Sequence, residues 1–538
     1  MSRAPVGPPQ TGRTFVGLRS LTGGRKNGRE PAAQPRRETR RGARLRGSGP
    51  WLRARAVFGR VPAAAWVCAL IALLNAFAWS LITPPFQGKD EADHFAYVAH
   101  LAQKGTLPEG GGEVEYSPQE SLVMEGIHYY GVRFSPQTPA ISTAAEQQTL
   151  MEDVSAGDST ENSTEGAGIA TSEPPLYYAL QVIPYELGGG NMLTQLQLMR
   201  LLGVLFGALT ALFTFLFLRE SLPSVPWAAT VGALCVALQP LLGFISGSVN
   251  PDSMLYTVAA AVFYCLARAF RRGLTMRLAL ALGLLVVIGF LTKLNFIGFA
   301  AGVFLGLLLL AVRGARSRGR GALLAPALAA CIGIAPALLY MLRNAVTNRP
   351  TFGSAAGVAS TIGNGSLFKE LSYAWQLFLP RLPGMPHYFV GMATFKDVWF
   401  DRSVGLYGWM DTMFPGWVDN VALVPAAAVA LLCARELYAR RRALRARLAE
   451  LVVYGTITVG VLAMIGISSY TSDLITGEAA FGEPRYLLPM IPLLGGAVAL
   501  AVRGAGRRWA PVAGAAMVVL FLGHDIFSQL QVIARYYG

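Results

Sequence analysis

Three carboxylates and a histidine fall within five positions in Asp90-Glu91-Ala92-Asp93-His94, shortly after Thr83-Pro84-Pro85. A helix begun after those prolines puts Asp90, His94 and Tyr97 on one face, and Asp93, Tyr97 and His100 on its neighbour. A carboxylate placed there can take a proton from a hydroxyl nucleophile, and His94 can orient it or help hold a divalent cation. The plainer role for Asp90 and Glu91 is to oppose the dipole of a helix N-terminus. Three acids and a histidine together favour chemistry. Asp90, Glu91 and His94 are therefore the candidate catalytic residues, and the same three are the candidate ligands if Mg or Mn is used. Asp93 joins them as a candidate substrate contact.

A second group is basic. Lys293 interrupts a long apolar run within Leu291-Thr292-Lys293-Leu294-Asn295, Arg343 follows another, and Arg485 opens a third in Glu483-Pro484-Arg485-Tyr486. A cation at the end of an apolar helix can simply reach toward lipid head groups. Three on the side poor in basic loops call for partners, and a phosphate fits, with Arg binding bidentately and Lys as a point charge. A third group holds small polar, acidic and aromatic residues: Tyr177 in Glu173-Pro174-Pro175-Leu176-Tyr177-Tyr178, Asn250 and Asp252 in Ser246–Asp252, Trp409 and Asp411 in Gly405–Asp411, and Tyr486. Aromatic faces beside an acid suit sugar rings, although Trp and Tyr equally serve as membrane-interface anchors.

The elements that must position these residues are membrane helices. Of 538 residues, 53% are hydrophobic and only 14% charged. Apolar runs near bilayer length predict an all-α polytopic protein of about eleven transmembrane helices. The spans are expected near 61–82, 196–218, 227–245, 253–270, 277–291, 295–312, 321–341, 420–434, 450–468, 486–502 and 509–523. The formal charge of +15 lies mostly in a tail and in short connections, which is the distribution of cytoplasmic loops. No nucleic-acid partner is expected. Residues 1–60, rich in Arg, Gly and Pro, read as a disordered cytoplasmic tail near anionic head groups, and 61–538 as one membrane domain. The 83–191 loop is acidic and belongs with the 342–419 loop on the outer face; within it, 139–172 reads as mobile. The five cysteines all lie in apolar segments without metal-ligand spacing, so they read as small buried hydrophobes. Neither a Walker-type phosphate loop nor a dinucleotide-binding glycine pattern is present, which argues against a soluble-nucleotide enzyme.

In order along the chain, Asp90-Glu91-x-x-His94, Pro174–Tyr178, Asn250-Pro251-Asp252, Leu291-Thr292-Lys293, Gly408-Trp409-x-Asp411 and Arg485-Tyr486-Leu487-Leu488-Pro489 resemble a bacterial family of predicted multi-pass membrane proteins of unknown function. That family is similar to the polytopic glycosyltransferases of the GT-C superfamily. Two positions depart from its pattern: Lys89 stands where Pro is frequent, and Pro484 where Gly usually precedes the Arg-Tyr pair. The resemblance implies that Asp90 or Glu91 is the catalytic carboxylate. It also implies a sugar donor carried on polyprenyl phosphate, with a cell-envelope glycan or glycolipid as acceptor, in the plasma membrane and on its extracytoplasmic face. Such a leaving group needs little acid help; it needs a base on the acceptor hydroxyl and cations on the departing phosphate. Lys293 and Arg485, with Arg343, are the expected phosphate holders. The rivals are a transporter or flippase of lipid-linked saccharides and a non-catalytic scaffold for envelope assembly.

Overall fold

The computed structural model describes residues 61–108, 114–136, 143–157, 170–346, 367–385, 394–476 and 483–537; the basic tail lies outside them. Regular structure among them is helical, apart from a short antiparallel pair, β1 (Leu406–Tyr407) and β2 (Thr412–Met413). The chain is an all-α membrane protein. Its helices in order are α1 (Ala63–Ile82), α2 (Glu91–Lys104), α3 (Pro118–Gly126), α4 (Leu176–Leu187), α5 (Met192–Ser221), α6 (Pro226–Ala237), α7 (Pro240–Ser246) and α8 (Asp252–Arg272). There follow α9 (Met276–Thr292), α10 (Phe296–Arg318), α11 (Leu324–Val346), α12 (Leu367–Phe378), α13 (Gly416–Ala439), α14 (Leu448–Thr476), α15 (Ile491–Gly504) and α16 (Ala510–Tyr537).

All eleven expected spans are helical, and nine helices among the described residues are long and apolar enough to cross a membrane. Two spans differ from expectation. The 227–245 segment is broken into α6 and α7, bent by 56°, because Pro240 has no N–H to continue the first helix and its ring crowds the preceding turn. The 277–291 segment, α9, has only 17 residues, short of the ~20 that cover a bilayer. It stops where Lys293 turns extended and its N–H caps the Gly289 carbonyl. The last helix runs past its expected end near 523, since the polar groups there are satisfied inside the protein: Asp525 accepts from Trp79 at 3.1 Å.

The basic connections meet one another. Arg272 pairs with Glu220 at 2.7 Å, Arg271 donates to the Glu220 carbonyl, Arg313 to the Phe270 carbonyl at 3.2 Å and Arg447 to the Ser221 carbonyl at 2.8 Å. These carbonyls lie in or just beyond the last turns of helices, where cations are favoured.

The two largest hydrophobic cores among the described residues follow from the sequence. One lies between the long helices and includes Phe217, Phe263, Phe299 and Tyr454. The other gathers the aromatic residues of the acidic loop, Phe86, Phe95, Tyr97, Tyr116, Tyr129, Tyr177 and Tyr178, with Trp409 from a distant segment. That loop is a folded cap. Even the stretch expected to be mobile contains a helix, Ala144–Ala156, begun by a reciprocal Thr143–Glu146 capping box; 158–169 lies outside the described residues. Between α10 and α14 the backbones touch. A Cβ added to Gly298 would stand 2.5 Å from the Gly460 carbonyl oxygen, so no other residue permits this approach.

Candidate functional site

Chain geometry sets the acidic motif first. Asp90 is the N-cap of α2 and sits in the left-handed region at φ 58°, which Asp tolerates better than most residues. It thus stands at the helix start rather than within its first turn, and it remains an electrostatic neighbour of His94. Gly88 passes so close to the loop after α7 that an added Cβ would lie 2.6 Å from Ser248 Cβ.

Glu91 is fully buried. It accepts from Arg200 Nε at 2.8 Å and Nη2 at 2.6 Å, and from the Val249 N–H at 2.9 Å. Arg200 also donates to the carbonyls of Ser80, Thr83 and Pro84. This pair ties the turn after α1 to α5 and to the Asn250 loop. Both side-chain oxygens of Glu91 are thus engaged in holding the turn.

Asp90 faces the other way. Its Oδ2 lies 2.7 Å from Arg485 Nη2 and its Oδ1 3.7 Å from Lys89 Nζ. Burial pushes its carboxyl up, but Arg485 and Lys89 outweigh burial and hold it well below the usual carboxylate range. Arg485 Nη2 also donates to the Tyr486 hydroxyl at 3.1 Å. Its Nε is 2.7 Å from Glu483 Oε2, an ion pair without hydrogen-bond alignment. Tyr256 fixes the turn by donating to the Arg485 carbonyl at 3.0 Å.

Lys293 lies beside this group. Its Nζ bonds Asp252 Oδ1 at 2.7 Å, stands 3.9 Å from Glu173 Oε1 and lies over the Tyr486 ring at 5.8 Å. Seven buried or nearly buried charges thus form linked pairs: Asp90, Glu173, Asp252 and Glu483 with Lys89, Lys293 and Arg485. The cations expected to await an outside phosphate already have carboxylate partners. Burial raises the Glu173 carboxyl, against the opposing pull of Lys293, and the four carboxylates and three cations of the cluster nearly balance in formal charge. Arg343 is exposed near the end of α11 and lines neither cleft at the cluster, unlike Arg485.

The remaining candidates mostly build the frame. His94 Nδ1 meets the Tyr178 hydroxyl at 2.9 Å, and burial pushes its pKa down to about 3, which leaves a neutral ring. Asp93 accepts from Tyr116 at 2.9 Å; burial pushes it up to about 7. Tyr177 accepts from Gln181 in the cap core. Asn250 donates to the Lys89 carbonyl at 3.1 Å and accepts from the Asp252 N–H at 2.9 Å. Trp409, only 3% exposed, donates to the Phe86 carbonyl at 3.0 Å and lies under Lys89 Nζ at 4.7 Å. Its faces are occupied by the protein and offer no platform to a sugar. Asp411 accepts from Thr412 at 3.1 Å and serves the adjoining hairpin. Among the described residues, no three His, Cys, Asp or Glu side chains are grouped to hold a metal; Asp90, Glu91 and His94 point to different partners.

The ordered motifs and the helical frame now stand together. The chain belongs to the family of predicted membrane proteins designated DUF2142. The family model matches residues 73–494, from within α1, through every residue of the charge cluster, to the start of α15. No curated protein matches the chain. Within this DUF2142 member, sequence reasoning missed Arg200, Glu173, Glu483, Tyr116 and Tyr178. Arg200 had a visible signal: a lone charge inside an apolar run needs a buried partner.

Two clefts meet at Arg485. The first opens between α8, α10, α14 and the Pro484–Met490 turn. Leu255, Phe299, Val461, Met464 and Ile465 form apolar walls, and Asp252, Arg485 and Tyr486 supply the polar groups. The second lies between α7 and the β1–β2 hairpin, with Lys89, Glu483 and Arg485 as its charged lining.

Proposed function

We propose that this protein is an integral membrane glycosyltransferase of the GT-C kind. It transfers a sugar from a polyprenyl-phosphate donor to a cell-envelope glycan or lipid acceptor on the extracytoplasmic face of the plasma membrane. The observation that carries the reading is the contact between Asp90 and Arg485, 2.7 Å apart, with Arg485 lining a cleft of apolar walls. A proton acceptor and a phosphate holder, 395 positions apart in sequence, stand beside a groove suited to a hydrocarbon chain.

The chemistry follows from exchanging partners. At rest Asp90 is held by Arg485 and is a poor base. A donor phosphodiester arriving at Arg485 competes for the guanidinium, whose charge no longer depresses the Asp90 carboxyl. Asp90 then takes the proton of the acceptor hydroxyl as its oxygen attacks the anomeric carbon. The anomeric carbon–phosphate oxygen bond breaks, and its electron pair leaves on the lipid phosphate, stabilised by Arg485 and Lys293. The nearly neutral cluster makes this exchange necessary, since one more anion cannot enter beside unreleased carboxylates without cost.

The test is sugar transfer from a labelled polyprenyl-phosphate sugar in proteoliposomes. Asp90→Asn should abolish transfer while preserving the fold; wild-type rates in that variant refute the assignment. The bend between α6 and α7 favours a second reading, a transporter of lipid-linked saccharides, because broken helices commonly line transport sites. Substrate movement without a new glycosidic bond would decide for it.

A further inference from the structure

Two residues of the first cleft carry buried polar atoms that the protein leaves unmatched. Asp252 and Arg485 both line it, and Asp252 Oδ2 and Arg485 Nη1 are buried without a hydrogen-bond partner. The other polar atoms of these side chains are partnered, Arg485 Nε only through its ion pair with Glu483. Asp252 Oδ1 takes Lys293 at 2.7 Å, and Arg485 Nη2 takes Asp90 at 2.7 Å and Tyr486 at 3.1 Å. Buried polar atoms are rarely left unmatched, and each such case asks for a reason. One atom is a cationic donor; the other is an anionic acceptor. A bare phosphate would satisfy Arg485 but set its oxygens against Asp252.

We propose that this cleft recognises a lipid phosphodiester bearing a hydroxyl on the carbon next to the esterified one. Arg485 Nη1 donates to the anionic phosphate oxygen, Asp252 Oδ2 accepts from that hydroxyl, and the apolar walls take the chain. Asp252 is then a specificity residue: it separates a polyol-bearing lipid phosphate from the same lipid phosphate without the polyol. The inference rests on the proposed function for its lipid-phosphate ligand and adds the hydroxyl requirement. Two sources share this chemistry, a glycosyl phosphate lipid and a phosphatidylglycerol head group.

Calorimetry on the full-length protein in detergent separates them, using decyl phosphate, decyl glucosyl phosphate, its 2-deoxy analogue and short-chain phosphatidylglycerol. The glucosyl probe should bind about tenfold or more tightly than the 2-deoxy probe, the worth of one hydrogen bond to a charged group. Asp252→Asn should shrink that gap without weakening decyl phosphate. Equal affinity of the glucosyl and 2-deoxy probes for the wild-type protein, or binding of none, overturns the proposal without recourse to any variant. Discrimination without sugar transfer upholds the hydroxyl requirement and removes the transferase. A response to phosphatidylglycerol alone upholds the chemistry, makes a membrane lipid the ligand and likewise removes the sugar-transfer reading.

Discussion

Replacing Glu91 by Gln should damage the protein's architecture before its chemistry. The change leaves Arg200, 3% exposed, with its charge buried and unmatched. Gln can still accept one hydrogen bond from it, but not two charge-assisted ones. Breaking a buried ion pair by removing one partner costs ~3–5 kcal/mol. Arg200 keeps its three carbonyl acceptors at Ser80, Thr83 and Pro84, which favours the lower end, about 3 kcal/mol. Glu91→Gln should therefore lower the thermal midpoint of the detergent-purified protein by several degrees and speed proteolysis of the 83–191 cap. The double variant Glu91→Gln, Arg200→Met should recover part of that loss, because no charge is stranded. Recovery is incomplete because the three carbonyls lose their donor. A double-mutant cycle isolates the coupling. A single variant as stable as wild type, or effects that simply add, would refute the view that this pair holds the motif in place.

Other predictions follow from the same contacts. Asp93 has a folded pKa raised to about 7 from an ordinary value near 4. The folded state thus binds its proton more tightly than the unfolded one does, and the associated stability, full below about pH 4, is lost as pH rises through about 7. Asp93→Asn, which resembles the protonated form, should flatten that part of a melting-temperature profile; an unchanged slope contradicts it. Gly88→Ala must displace Ser248 or the turn and should cost ~1–3 kcal/mol, with reduced transfer activity, read by thermal melts and the proteoliposome assay. Gly298→Leu should separate α10 from α14 and prevent assembly, seen as loss of the monodisperse species on size exclusion. For topology, Lys104→Cys should react with a membrane-impermeant maleimide on intact cells, whereas Arg277→Cys should react only after permeabilisation, each in a background lacking the exposed Cys331.

Much of this was legible because membrane helices write themselves as apolar length. Spans such as Ala63–Ile82 and Phe296–Arg318 need no tertiary knowledge to be seen. The α6–α7 break was marked by Pro240, yet an apolar run through a proline reads the same whether it kinks or continues. At the site, Asp90, Lys293 and Arg485 were visible as charges where charges are costly. Their partners were not seen as such: Asp252 stood out only as a substrate candidate, and Glu173 and Glu483 look like ordinary loop acids until folding sets them beside a cation. Neighbours in sequence also diverged. Asp90 and Glu91 look interchangeable, but a single left-handed residue turns them toward different helices.

The backbone contact at Gly298 and Gly460 has a consequence for how a long-chain molecule could come and go. With α10 and α14 pinned there, those two sides of the groove cannot part by sliding, which leaves widening to α8 and the Pro484–Met490 turn. Prolines 484 and 489 contribute no amide hydrogens to that turn, so fewer hydrogen bonds resist its displacement. Because the turn carries Arg485, admission of a guest and release of Asp90 would be one movement rather than two.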